Sequence, residues 1–354
     1  MIKMIKNLLL GVAAMLGGIH ASVACTGISL TAADGSYIQA RTIEWAYGVL
    51  KSEYVIIPRG EQLQSYTPTG ANGIKFKARY GVVGLAVVEK EFIAEGINEM
   101  GLSAGLFFFP RYGSYESYES IDNPRTLADL QVVQWMLTQC ASIDEVKEAV
   151  KHVRIVALEK TAVVHWRIGD PTGRQVVMEI VDGKVNFYDN EVGVLTNAPG
   201  YNWQVTNLEN YVNLRPGSAQ SYKLGGVTLE PNGGSTAMHG LPGDFTPPSR
   251  FVRAAFFRNT APQRATGVDT VLEAFHLLNN FDVPIAIENP AEHNLPSATQ
   301  WTSAIDLSSR TVYYKTAYNS TIRSISLANI DFSKVKYASY PLDTEQREPI
   351  QALY

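Results

Sequence analysis

The rhythm of the chain after Cys25 constrains the fold most. Short runs rich in β-branched and aromatic residues recur, each bounded by Gly, Asp, Asn or Pro, and such runs favour strands. Residues 26–31 and 37–42 read as two strands joined by a turn at Asp34-Gly35. Residues 54–57, 82–88 and 102–108 are further strands, and 163–168, 175–181 and 185–188 read as a meander. Three more strands, at 301–307, 311–318 and 322–327, close the pattern. Helical spacing is confined to residues 127–137, 250–257 and 268–278, and to a segment opened by the capping box Ser142-Ile143-Asp144-Glu145 and running to about Val153. Strands in runs, with helices grouped between them, argue for antiparallel sheets covered by helices rather than a βαβ repeat. There is no internal repeat and no linker rich in Pro, Gly or Ser, so residues 25–354 are expected to form a single domain.

Composition excludes several classes. The 354 residues carry 30 basic and 34 acidic side chains, a formal net charge of −4, with 45% hydrophobic residues. That is an ordinary globular balance, and it lacks the basic excess of a nucleic-acid binder. The two cysteines, Cys25 and Cys140, are too few for a disulfide scaffold or a Cys-based zinc site.

The beginning of the chain has the order of a secretory signal. Lys3 and Lys6 precede an apolar stretch over residues 8–19, and Ser22-Val23-Ala24 precede Cys25. The apolar stretch is too short to span a bilayer comfortably, and no later stretch is suited to it, so no membrane span is expected. Residues 1–24 are therefore read as a signal peptide that is removed, giving an exported protein, periplasmic or secreted. Removing Lys3 and Lys6 takes the side-chain charge from −4 to −6. Cys25 then has three readings: a lipidated cysteine, a disulfide partner of Cys140, or a catalytic N-terminal thiol. In the third, the free α-amine has a pKa near working pH and can act as the base for the thiol.

Other site motifs are missing. There is no P-loop, no His-Glu-x-x-His and no Gly-x-Ser-x-Gly. Gly225-Gly226 and Gly233-Gly234 look like turns. The histidines (His20, His152, His165, His239, His276 and His293) are scattered without metal-ligand spacing, and His165 reads as a core residue. No metal and no cofactor are expected.

Five segments carry a resemblance: Cys25-Thr26-Gly27; Arg41 through Trp45; Gly96 through Leu102; Gly193 through Pro199; and Leu241 through Arg250. In this order they resemble the choloylglycine hydrolase family, which includes bile salt hydrolases and penicillin V acylases. The resemblance implies an α+β fold of N-terminal-nucleophile hydrolase type: an αββα four-layer sandwich of two stacked antiparallel sheets between helices. It also implies hydrolysis of a small-molecule amide substrate and a homotetramer.

The resemblance further implies roles for particular residues. Cys25 attacks the amide, and Arg41 contacts the thiol and favours thiolate. Asn197 donates to the oxyanion, and Arg250 holds the site by ion pairing. Glu44 stands where the family usually has Asp; it keeps the carboxylate that orients the α-amine. The asparagine that many bile-salt-type members place in a Gly-Leu-Asn-Phe-Pro segment is replaced by Phe107 or Phe108, according to the alignment. A backbone N–H, such as the one following Asn197, must then serve as second oxyanion donor. Phe107, Phe108, Phe109 and Tyr112 are the expected substrate-binding residues, with Phe108 facing the pocket. Residues 113–118 read as a mobile loop at its mouth. The expected substrate is a glycine- or taurine-conjugated bile salt. Penicillin V is the alternative, and a non-catalytic exported lipoprotein is a third reading.

Overall fold

The structure is a computed structural model that describes residues 24–159, 162–291 and 294–354. Of the leader read over residues 1–24, residues 1–23 lie outside these, as does His293.

Fourteen strands build two sheets. They are β1 (Cys25–Thr31), β2 (Tyr37–Glu44), β3 (Ser52–Ile57), β4 (Val82–Val87), β5 (Ile93–Asn98), β6 (Ser103–Phe108), β7 (Val164–Gly169), β8 (Gln175–Val181), β9 (Lys184–Asp189), β10 (Val194–Leu195), β11 (Thr299–Asp306), β12 (Thr311–Thr316), β13 (Asn319–Ser326) and β14 (Ala338–Pro341). The first sheet has the order β10-β1-β2-β11-β12-β13, and the second β9-β8-β7-β6-β5-β4-β3-β14. All pairings within both are antiparallel.

Among the described residues the longer α-helices are α1 (Val132–Gln139), α2 (Ile143–Ala149), α3 (Tyr201–Asn207), α4 (Pro247–Thr260) and α5 (Gly267–Leu278), with a single-turn helix at Ile285–Glu288. α1 packs on β5 and β6, and α4 and α5 pack on β1 and β2. The sheets lie face to face between these helices, as side chains crossing the gap show. Arg41 of β2 donates to Ala94 and Leu106 in the second sheet, and Arg167 of β7 donates to Ile28 and Ala40 in the first. This is the expected αββα sandwich. Because each sheet is covered on both faces, β2 is buried along its whole length, polar positions included.

Three local expectations are corrected. Residues 127–137 are not one helix. Thr126–Ala128 is a short strand paired in parallel with Arg154–Val156, and α1 begins only at Val132. The capped helix opens as expected, with Ser142 Oγ accepting from Glu145 N at 3.2 Å, but its α-helical part ends at Ala149 and a 3₁₀ turn follows. The sequence reads Cys140 as a buried helix residue outside any disulfide; it is buried and free, but it caps the end of α1 rather than lying within it.

Candidate active site

The first hairpin sets the geometry. Cys25 opens β1 opposite Ile43, and Gly27 stands opposite Arg41. Alternation along the strands puts Cys25, Gly27 and Arg41 on the face toward the second sheet, and Thr26 and Glu44 on the face toward α4 and α5.

Asn197 follows β10 in a turn containing a cis Ala198–Pro199 bond. Its Oδ1 accepts from Cys25 N at 2.9 Å and from Arg250 Nη2 at 2.7 Å, and its Nδ2 donates to Phe108 O at 2.9 Å. One Nδ2 hydrogen therefore stays free, and the Ala198 N–H beside it makes no hydrogen bond among the described residues. His165 braces the turn from behind. Its ring nitrogens lie 3.1 Å from Glu179 Oε1 and 3.0 Å from Thr196 O, and its ring stacks on Phe109. It is a core residue, as read from its apolar strand.

Arg250 lies in the first turn of α4, behind Pro247 and Pro248, which suit a helix start. It is completely buried. It donates to Phe245 O at 2.9 Å, Cys25 O at 2.5 Å, Thr26 Oγ1 at 2.9 Å and Asn197 Oδ1 at 2.7 Å. The expected ion pair is corrected. All of these acceptors are uncharged oxygens, and among the described residues no carboxylate lies within 4 Å of the Arg250 guanidinium. Glu44, Glu288 and Asp244 act on it only at a distance, while burial lowers its pKa.

Arg41 is completely buried and donates to Thr42, Ala94 and Leu106 carbonyls, but its Nη2 has no hydrogen-bond partner among the described residues. Glu44 is also buried. Its Oε1 accepts from Thr299 at 3.3 Å and its Oε2 is unpartnered. Burial pushes the Glu44 carboxyl up to about 7, against the pull of Arg250 and Arg41. The Cys25 thiol is also pushed up by burial and by Glu44, and drawn down by Arg41, Arg250 and a hydrogen bond from the Phe108 backbone.

A cavity of about 860 Å³ opens beside this cluster. Its wall includes Ala24, Phe108, Tyr112, Asn197, Phe245 and Arg250. Ala24 lines the cavity whereas Cys25, next in the chain, does not, and the Ala24 carbonyl accepts from Glu44 N at 2.9 Å. The expectation that Phe107 and Phe109 contact substrate is corrected. Both are fully buried between protein layers, Phe107 against Arg41 and Phe109 against His165, and neither reaches the cavity. Two buried charges near the site, Glu95 and Arg167, were not read as site residues from the sequence. The available signal was a charge inside an otherwise apolar strand: Ile-Ala-Glu-Gly-Ile and His-Trp-Arg-Ile.

Residues 25–343 match the family described as linear amide C–N hydrolases, choloylglycine hydrolase family. The chain belongs to the choloylglycine hydrolase family. It is 34% identical over 325 residues to a bile salt hydrolase/transferase of Clostridium perfringens, covering 89% of this chain and 97% of that protein. It is 25% identical to a penicillin V acylase of Pectobacterium atrosepticum, covering 92% and 86%. Among solved structures, a conjugated bile acid hydrolase from Clostridium perfringens superposes with a TM-score of 0.79 at 30% identity, over 93% of this chain and all of that one. A penicillin V acylase from Agrobacterium tumefaciens gives 0.71 at 25% identity, over 90% and 91%. The fold is that of these hydrolases. Family membership makes the chain an amidohydrolase, and its relatives support bile salt amide hydrolysis.

Proposed function

We propose that this protein hydrolyses the amide of glycine- or taurine-conjugated bile salts with Cys25 as N-terminal nucleophile, after residues 1–24 are removed during export to the periplasm or beyond. The observation that carries this reading is the convergence of Asn197, Arg250 and Ala24 on Cys25 at the cavity wall. Removing Ala24 uncovers the thiol to the cavity and turns the Cys25 N–H into an amine. The unpartnered Glu44 Oε2 and the Asn197 Oδ1 are then its acceptors.

The chemistry follows from these atoms. The amine takes the thiol proton as Sγ attacks the carbonyl carbon. The oxyanion forms against the free Asn197 Nδ2 hydrogen and the Ala198 N–H, and Arg41 Nη2 offsets negative charge near sulfur. The tetrahedral intermediate collapses as the C–N bond breaks and the ammonium passes its proton to the departing glycine or taurine. Water then adds to the thioester, gives a proton to the amine, and releases the acid and the thiol. The apolar acyl body lies against Phe108, Tyr112 and Phe245 in the cavity wall.

The likeness to penicillin V acylases supports a second substrate reading. Comparing kcat/KM for glycocholate, taurocholate and penicillin V decides between them. The bile salt reading expects the conjugates to win, and preference for penicillin V reverses it. Intact mass should give a chain starting at an unmodified Cys25, and a diacylglyceryl adduct there makes the protein a lipoprotein instead. The proposed homotetramer is supported by an exposed hairpin, Tyr222–Leu224 with Val227–Leu229, that presents four large apolar side chains to solvent. Light scattering on the purified protein should give four chains.

A further inference from the structure

Under the first hairpin, three charged side chains share a space sealed between the two sheets. Arg41, Glu95 and Arg167 are each at most 1% exposed. Arg167 Nη2 donates to Glu95 Oε1 at 3.0 Å, and Arg41 Nη1 lies 3.6 Å from Glu95 Oε2. Phe107 fills the space beside both guanidinium groups, 4.1 Å from that of Arg41 and 5.5 Å from that of Arg167.

Two glycines make room for the cluster. A Cβ on Gly105 would stand 2.1 Å from Glu95 Oε2, and one on Gly27 would stand 2.8 Å from Arg167 Nη1 and 2.7 Å from Phe107. Gly27 is two residues from Cys25 on the same face of β1, so the cluster is built directly behind the thiol.

A buried Arg–Glu pair alone is neutral, and Glu95 would cancel much of what Arg41 offers its other neighbours. Arg167 adds a second positive charge on the far side of Glu95. The cluster then carries net +1, and Arg41 keeps an unpartnered Nη2. We propose that Glu95 and Arg167 are positioning residues: Glu95 holds the Arg41 guanidinium beside Cys25, and Arg167 absorbs the Glu95 charge so that Arg41 still promotes thiolate. This rests on Cys25 being the nucleophile.

The other charges around Cys25 are Glu44 on β2 and Arg250 on α4, with Asp244 and Glu288 beyond Arg250. His165 and Glu179 lie behind the Asn197 turn. None of these changes in the variants below.

The test is the rate of Cys25 alkylation by iodoacetamide against pH in the mature enzyme, resolved from Cys140 by mass spectrometry. Arg167→Gln leaves a neutral cluster, so the Cys25 profile should move to higher pH and alkylation at neutral pH should slow about tenfold, one pKa unit of thiolate. Glu95→Gln leaves +2 and should move the profile the other way, unless stranding two buried arginines prevents folding. The double variant restores +1 while the Thr42, Ala94 and Leu106 carbonyls and an amide oxygen at position 95 still hold Arg41, so the rate should return to within about twofold of the parent. An Arg167→Gln profile identical to the parent overturns the proposal. So does a double variant as slow as Arg167→Gln, since that pattern is packing damage rather than charge. Whether Cys25 is the nucleophile is read separately, from loss of hydrolysis in Cys25→Ala.

Discussion

Cys25 and Cys140 are both buried, free thiols, and they differ in what surrounds them. Cys140 closes α1, where Asn98 Nδ2 holds its carbonyl at 2.7 Å. Burial, with Glu145 adding to it, pushes its thiol up to about 12, against the pull of Arg79. Cys25 is as well buried, and burial, with Glu44 adding to it, raises its thiol too, but Arg41, Arg250 and the Phe108 backbone pull the other way. Burial alone makes a cysteine inert. The two sites differ in placed cations and donors, and on the proposed mechanism it is these, held by the two-sheet frame, that would set Cys25 apart.

The sharpest way to break this comparison is to remove each sulfur. Cys25→Ser should lower kcat/KM about a thousandfold or more, because a hydroxyl is a far weaker nucleophile in the same frame. Equal loss in Cys140→Ser would place both cysteines in the chemistry. Next in size is Asn197→Ala, which should lower kcat by about 10²–10³ with a smaller change in KM, as for loss of one oxyanion donor. A pure KM effect would make Asn197 a binding residue instead.

The third prediction concerns Glu44. Its folded pKa, about 7, lies above its ordinary 4.5. The stabilisation from the neutral carboxyl is therefore complete below about 4.5 and is lost as pH rises through 7, and Asp129 behaves in the same sense. Urea unfolding across pH 4–8 should show stability falling with pH. Glu44→Gln should flatten the Glu44 share of that slope, on the order of 3 kcal/mol across its range. An unchanged slope would mean that Glu44 stays ionised in the fold. The smallest effect is on the inert side. Cys140→Ser should cost about 1–3 kcal/mol of stability for a buried hydroxyl without a partner, while kcat stays within twofold of the parent.

Much of this was legible in sequence, and the failures have physical causes. The first hairpin was readable because its turn signal and β-branched residues are local. β5 was not, because Glu95, Gly96 and Asn98 interrupt its apolar pattern. Each of the three is buried and satisfied or accommodated by another element, as where Asn98 Nδ2 donates to Leu137 O and Cys140 O. Helical spacing was read from residue 127 onward, but 126–128 pair with 154–156, a partner that local periodicity cannot reveal. Cys25, Arg41, Glu44, Asn197 and Arg250 were found through motif resemblance, and the structure brings them together. Phe108 was singled out to face the pocket and does line the cavity, but Phe107 and Phe109 were drawn in with it, because three identical residues in a row differ only in which side of a twisted strand they occupy.

The strand holding those phenylalanines separates two properties that a designer would want to vary independently. Gly105 and Phe107 belong to the charged cluster behind the thiol, whereas Phe108 meets the cavity. Exchanging Phe108 should therefore retune which acyl groups are accepted while leaving the nucleophile's reactivity in place. A change one residue to either side would disturb packing before it altered selectivity. On the proposed mechanism, substrate range can drift in this protein by single steps, and the reactive centre cannot.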